Sequence, residues 1–279
     1  MKKIDTHQHL FYPDTLAYPW VGEAPALQGA FTVEDYRRAA EGMDVVGSIF
    51  MEVDVAPEQR VREVEWIDEI AADPHSGIVG IIGGARPEAE NFEAELEAML
   101  RPRLKGIRRV LHTQPDELSR TSRFRGNLRR LGERGLTYDL CFRASQLPVA
   151  AELLDACPGV SFVLDHCGVP DIASGAFEAW SADMGRLAER PNVACKISGL
   201  PTYCPPGESG PDTLRRWFER VVECFGWDRL VWGSDWPVCT LNGNLAEWSR
   251  TVETLLNEES EAHRRALFVD NARRVYGLE

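Results

Sequence analysis

Histidine and aspartate side chains stand at the ends of short apolar runs, which is where groups for proton transfer would meet. The run KIDTHQH ends in His7 and His9, whose imidazoles share one face of a strand because they are two residues apart. His166 ends the run FVLDH, and Asp235 ends the run LVWGSD. A carboxylate beside imidazoles can act as a general base, and the same groups can ligate a divalent cation. These four residues are the predicted catalytic residues.

Each of these four residues also has a structural interpretation. His7 and His9 can form a hydrogen-bonded pair beside a loop, and a lone His166 can be a satisfied core histidine. Asp235 can cap a helix or lie in a loop. A carboxylate directly after a buried strand must nevertheless be paired, metal-bound or functional.

Two cationic residues lie inside predicted strands. Lys196, in VACKISGL, needs an anionic neighbour or substrate, and an internal salt bridge to a carboxylate such as Asp5 is the alternative. In KGIRR the alternation turns Arg108 towards the interior and Arg109 towards the helices. An inward arginine at a strand end can hold a substrate carboxylate, carbonyl or hydroxyl. We therefore predict that Arg108 and Lys196 bind substrate.

Further candidates for substrate binding lie around the predicted mouth. Glu52 closes the second strand and either touches ligand or is a solvated loop acid. His112 follows the fourth strand and lines the mouth or lies in a surface loop. Trp20 and Trp236, with Tyr18 and Tyr203, either form an aromatic wall for a ring-shaped ligand or simply pack.

Eight apolar runs alternate with amphipathic stretches, which is typical of parallel strands covered on both faces. The predicted strands are Lys3–His9, Val45–Val53, Gly77–Gly83, Leu104–Val110, Thr137–Phe142, Ser161–His166, Val193–Gly199 and Arg229–Asp235. Eight successive β/α units in 279 residues predict a single (β/α)8 barrel domain, residues 1–279, with its active site at the carboxyl ends of the strands. A doubly wound open sheet is the alternative, weakened because no GxGxxG follows the first strand.

Composition narrows the class of protein further. Hydrophobic residues make up 44% of the chain, which is enough to bury a core. The formal net charge is −13, so the protein is a poor candidate for binding nucleic acid or an anionic membrane through its overall charge. The sequence shows no signal-peptide pattern and no apolar run of about 18 residues. Its seven cysteines form no CxxC pair, which indicates reduced thiols. We expect a cytoplasmic protein.

Five motifs, in order along the chain, resemble those of the amidohydrolase superfamily. They are DTHQHL, KGIR, FVLDHCG, CKISGL and VWGSDWP, and NARRVYGL is similar to the family's terminal helix. More narrowly, the set resembles the amidohydrolase-related, fuconolactonase-like branch of sugar-lactone and dicarboxylate-lactone hydrolases. The resemblance implies a distorted (β/α)8 barrel of amidohydrolase type.

The resemblance also implies roles for the candidate residues. His7 and His9 match the first-strand pair, His166 the histidine of the LDHxG segment, and Asp235 the aspartate that activates water. If a metal is bound, its ligands are His7, His9 and Asp235, with His166 as a fourth candidate. Binuclear members bridge two metals with a strand-4 residue, but here Lys105 faces outward by alternation. We expect one divalent ion, zinc or manganese, or a metal-free mechanism.

The leading function hypothesis is hydrolysis of a small sugar or sugar-acid lactone. Alternatives on the same barrel are metal-dependent decarboxylation of a small unsaturated or aromatic acid and hydrolysis of an amide. A non-catalytic sugar-acid binding protein is disfavoured because Asp235 accompanies both histidines. The expected partner is a small-molecule lactone, with neither nucleic acid nor membrane, and the expected assembly is a monomer or homodimer.

Overall fold

Eight parallel strands follow one another around a single sheet in the computed structural model, which describes residues 1–279. The strands are β1 (Lys3–Gln8), β2 (Val45–Met51), β3 (Ile78–Gly84), β4 (Leu104–Val110), β5 (Thr137–Cys141), β6 (Phe162–Leu164), β7 (Val193–Ile197) and β8 (Leu230–Trp232). The first and last strands meet where the Thr6 hydroxyl donates to the Trp232 carbonyl oxygen at 2.7 Å. The predicted (β/α)8 barrel is confirmed.

Helices connect the strands and cover the outside of the barrel. They are α1 (Val33–Ala39), α2 (Arg60–Ala71), α3 (Phe92–Met99), α4 (Glu117–Arg120), α5 (Ser122–Glu133), α6 (Leu147–Ala156), α7 (Phe177–Ala188), α8 (Pro211–Phe225), α9 (Leu245–Leu255), α10 (Glu261–Arg265) and α11 (Asn271–Tyr276). Thr32 caps α1, accepting from the backbone N–H of Asp35, whose carboxylate accepts from Thr32 in return. α1 therefore begins directly after its cap, at Val33.

The apolar core has two parts, as a closed barrel requires. The larger part lies between the sheet and the helices. The smaller part fills the barrel interior and consists of Ile4, Ile49, Met51, Ile82, Val163 and Val231, together with Ala272 and Tyr276. Because α11 contributes Ala272 and Tyr276, the last helix closes the barrel interior with its own side chains.

The strands that carry His166 and Asp235 are shorter than predicted. β6 ends at Leu164 and β8 at Trp232, before either residue. The backbone then turns into the left-handed region, with φ of 51° at His166 and 58° at Asp235. Two candidate catalytic residues therefore stand on sharp turns beyond the strands, where strand alternation no longer sets their direction.

No helix of the structure has the length and apolar character that crossing a membrane requires. All seven cysteines are free thiols, and Cys224 is the one that is partly exposed. Six of the seven thiols are buried, as their position in apolar runs indicates.

Candidate active site

His7, near the end of β1, and His9, just after it, lie at the carboxyl end of the barrel with their rings in contact. The Nε2 atoms of His7 and His9 are 3.2 Å apart. His9 Nδ1 lies 3.0 Å from the Met51 carbonyl oxygen, which can only accept a hydrogen bond. His9 therefore carries its proton on Nδ1 and presents the lone pair of Nε2 to the interior.

Asp5 does not join the two histidines, although simple alternation places it on their face. The pairing of β1 with β2 is irregular between Asp5 and Gln8, and the irregularity changes which residues face inward. The Asp5 carboxylate accepts from the backbone N–H groups of His7 and Ser234 and from the Tyr36 hydroxyl. It fixes the turn after β8 rather than facing the site.

His166 and Asp235 enter the site from the turns after β6 and β8. Strand alternation would put His166 on the face of Phe162 and Leu164, whose side chains pack in the core between sheet and helices, but the strand ends before His166. The left-handed turn brings its Nδ1 to 3.9 Å from Asp235 Oδ2, while the Ser198 hydroxyl lies 2.9 Å from the same nitrogen. Left-handed backbone at residues other than glycine is uncommon and often marks functional sites.

The nitrogens of His7 and His9 form a nearly equilateral triangle with one oxygen of Asp235. Oδ1 of Asp235 lies 3.6 Å from His7 Nε2 and 3.4 Å from His9 Nε2. Tetrahedral zinc with ligands at about 2.1 Å separates neighbouring ligand atoms by roughly 3.4 Å. Ligand atoms of His7, His166 and Asp235 also lie within 4.8 Å of one another. Either set of three, His7 and Asp235 with His9 or His7 and Asp235 with His166, therefore fits one divalent metal ion.

A fully buried charged layer lies directly beneath His7. Lys196 Nζ is 2.6 Å from Asp139 Oδ2 and 3.0 Å from Asp165 Oδ1. The Tyr276 hydroxyl lies 2.9 Å from the same oxygen of Asp139. Lys196 has no exposed surface, so the expectation that it touches substrate is corrected. The alternative, an internal salt bridge, holds instead, with Asp139 and Asp165 in place of Asp5.

Sequence reasoning missed Asp139 and Asp165. Each is a carboxylate inside or at the end of an apolar strand, in TYDLC and FVLD. Alternation places Asp139 on the inner face with Thr137 and Asp165 on the inner face with Val163. A buried carboxylate needs a cation, so the sequence indicates that both residues need a partner, but alternation does not identify that partner as Lys196.

Arg108 faces the interior, as alternation predicts. Its Nε lies 2.6 Å from Glu52 Oε1, and its Nη2 donates to the Glu52 carbonyl oxygen at 2.8 Å. Its Nη1 is 3.5 Å from His7 Nε2 and 3.4 Å from Asp165 Oδ2. Glu52 is 1% exposed, so the solvated loop acid is corrected to a buried partner of Arg108. Arg109 pairs with Glu88 outside the barrel.

The aromatic side chains at the mouth of the barrel pack against other residues of the protein. Trp236 is buried against Phe31 and Tyr36 at ring distances of 5.7 and 5.6 Å, so it packs as the alternative interpretation describes. Trp20 is half-buried, and its indole N–H donates to the Val53 carbonyl oxygen at 2.8 Å. The Tyr203 ring lies 6.4 Å from that of His166.

Burial keeps the central imidazoles neutral. It lowers the pKa of His7 well below its ordinary value, helped by the Lys196 ammonium beside it. Burial also lowers the pKa of His166, although Asp235 opposes the effect. Burial alone would raise the pKa of Asp165, but Lys196 and His7 outweigh it and the pKa lies well below its usual range. The site therefore combines neutral imidazoles with an ionised carboxylate.

His112 provides a stability prediction that depends on pH. Burial lowers its pKa from 6.5 to about 4, with Arg108 adding to the effect, and its Nδ1 lies 3.1 Å from Cys141 Sγ. Between these pH values the unfolded chain binds a proton that the folded protein does not, so stability falls as pH falls. We expect His112→Gln to weaken this dependence in urea denaturation at pH 7 and pH 5. Exposed His75→Gln is the control, and equal pH dependence in both variants would contradict the prediction.

Comparison with known proteins identifies the family. The amidohydrolase family model matches residues 4–278. An uncharacterized protein, y4mH, of Sinorhizobium fredii is 30% identical over 98% of this chain and 97% of its own length. An L-fucono-1,5-lactonase of Burkholderia ambifaria is 30% identical over 88% of this chain and 84% of its own length. The chain belongs to the amidohydrolase family, as its motifs indicated.

A solved structure extends the similarity to the whole fold. The crystal structure of an amidohydrolase from Burkholderia multivorans with bound zinc matches with a TM-score of 0.91 at 26% identity, covering 100% of both chains. The neighbour's zinc accords with the spacing of His7, His9 and Asp235 in this chain. The chain thus combines membership of a family of hydrolytic enzymes with a site that fits a metal ion.

Proposed function

We propose that this protein hydrolyses a small lactone, of the sugar or sugar-acid type, at the carboxyl end of its barrel. The observation that carries the proposal is the Asp235 carboxylate, held within 3.4–3.9 Å of three imidazoles. The 30% identity to an L-fucono-1,5-lactonase supports the choice of a lactone.

Asp235 is the proposed general base. It accepts a proton from water as the oxygen attacks the ring carbonyl, and it then gives that proton to the leaving alkoxide. One water molecule is consumed, one C–O bond breaks, and the product is a hydroxy acid. Because burial lowers the pKa of His7 and His166, these two imidazoles can orient the water and the carbonyl without competing for the carboxylate as cations.

Arg108 is the proposed source of positive charge for the developing oxyanion. Its Nη1 lies 3.5 Å from His7 Nε2, at the edge of the triangle of His7, His9 and Asp235. Glu52 fixes the guanidinium through two contacts, so its charge is in place before the reaction begins. His112, Trp20 and Tyr203 lie around this centre and are proposed to contact the sugar ring.

A divalent ion, zinc or manganese, would be held by His7, His9 and Asp235, with His166 adjacent. When bound, such an ion supplies Lewis-acid polarisation of the carbonyl and lowers the pKa of water. The chain's own residues perform the same tasks in either case: Asp235 moves the proton, and Arg108 and the histidines orient the reacting groups.

A direct assay tests the proposal. Purified protein is offered a panel of five- and six-membered sugar and sugar-acid lactones, and acid release is followed with a pH indicator. The assay is run on the protein as purified, after chelation, and with added Zn²⁺ or Mn²⁺. We expect hydrolysis of at least one lactone well above its spontaneous rate. No acceleration on any lactone under any of these conditions would refute the proposed function.

A further inference from the structure

The His7 ring meets two opposite kinds of partner at a single nitrogen. Its Nδ1 lies 3.3 Å from Lys196 Nζ and 3.4 Å from Asp165 Oδ1. An ammonium group can only donate a hydrogen bond, and a carboxylate can only accept one. A ring with a single proton can satisfy only one of these partners at Nδ1, and the position of that proton decides which.

One arrangement places the His7 proton on Nε2. Lys196 then donates to His7 Nδ1, and His7 Nε2 donates to the lone pair of His9 Nε2, 3.2 Å away. His9 in turn donates from Nδ1 to the Met51 carbonyl oxygen. The chain of donors from Lys196 to Met51 is complete without any metal ion.

The other arrangement places the His7 proton on Nδ1, where Asp165 Oδ1 accepts it. The lone pairs of His7 Nε2 and His9 Nε2 then converge with Asp235 Oδ1, and three such donors at 3.2–3.6 Å need a cation between them. Asp165 Oδ1 is fully buried and accepts no well-directed hydrogen bond, although Lys196 Nζ is 3.0 Å away. The acceptor that this arrangement needs is therefore available.

We propose that His7 is a tautomeric switch, which Lys196 holds in a metal-free arrangement and Asp165 holds in a metal-binding arrangement. On switching, the proton on Nε2 passes to water and a proton from water is taken up at Nδ1, so the ring stays neutral and no net proton is gained or lost. Lys196 is a positioning residue that acts through His7, and it keeps Asp139 as its partner in both arrangements. The inference rests on the proposed role of His7, His9 and Asp235 as metal ligands.

Long-range ¹H–¹⁵N correlation spectra of the histidine rings test the switch directly. The full-length protein is examined after chelation and again with one equivalent of Zn²⁺, and the His7 signal is assigned by its loss in His7→Gln. We expect His7 to be protonated on Nε2 without metal and on Nδ1 with Zn²⁺, while His9 keeps its proton on Nδ1. The same His7 tautomer in both samples, or no uptake of Zn²⁺, would overturn the inference.

A paired variant tests the part assigned to Lys196. Lys196→Met combined with Asp139→Asn removes one positive and one negative charge together, so the buried layer keeps its net charge. Asp165 is then the remaining partner at His7 Nδ1. We therefore expect the paired variant to hold the His7 proton on Nδ1 even without metal, and to bind Zn²⁺ about tenfold more tightly than the wild type. Lys105→Met, the same change on the outer side of β4, should alter neither. Unchanged or weaker Zn²⁺ binding in the paired variant would contradict the role of Lys196.

Both measurements are independent of the proposed reaction, because neither uses a lactone. If the protein hydrolyses no lactone, the proposed function is refuted. The tautomeric switch is then still tested by the position of the His7 proton with and without Zn²⁺. The wild-type comparison with and without Zn²⁺ also decides it if the paired variant fails to fold.

Discussion

Asp235→Asn is expected to lower kcat for lactone hydrolysis by about 10²–10⁴-fold, the range typical of losing a general base. Asparagine keeps the shape of the side chain but cannot take up the proton of the attacking water. The lactone itself contacts other groups, so its KM should change far less than kcat. The measurement is steady-state hydrolysis of the best substrate from the lactone panel, with metal content determined for both proteins.

Asp228→Asn is the matched control, since Asp228 is exposed and lies just before β8, at the opposite end of the strand from Asp235. It should leave kcat unchanged. Thermal unfolding of both variants separates a loss of catalysis from a loss of structure. Activity of Asp235→Asn within twofold of wild type would show that Asp235 is not the base.

The order of elements was readable from the sequence because each β/α unit leaves a local signature. Runs such as Ile78–Gly84 are apolar on both faces, and a barrel of parallel strands requires that pattern. The placement of His7 and His9 at the end of β1 was readable too, because a spacing of two puts both rings on one side. These features depend on neighbouring residues in the chain.

The placement of His166 and the partners of Lys196 could not be read in the same way. His166 reaches the site through a left-handed backbone conformation, which no periodicity encodes. Lys196 meets Asp139 and Asp165 because β5, β6 and β7 are adjacent in a particular register. Register between strands depends on packing across the barrel, so alternation could give the face of each residue but not its height along the axis.

Glu52 shows a third limit. It follows β2 in a stretch with acidic Asp54 close by, so composition favoured a solvated loop. In the structure its carboxylate is buried because Arg108 of β4, 56 residues away, supplies a charge-assisted hydrogen bond. A polar residue is buried when a partner exists, and the partner here is distant in the chain.

Lys196→Met is expected to lower the free energy of unfolding by about 3–5 kcal/mol, because it leaves Asp139 and Asp165 without their shared cation in a fully buried layer. Burial already raises the pKa of Asp139 to about 6 even with Lys196 opposing it, so without Lys196 the carboxyl should remain protonated to still higher pH. A pKa raised in the folded state means that stability is kept at low pH and lost as pH rises. Urea denaturation should therefore show a larger loss of unfolding free energy in Lys196→Met at pH 8 than at pH 5.5.

Two further variants control this prediction. Adding Asp139→Asn should recover part of the loss at pH 8, and Lys105→Met should cost about 1 kcal/mol or less. A deficit in Lys196→Met that is below 1 kcal/mol, or is the same at both pH values, would show that the two carboxylates do not depend on this lysine.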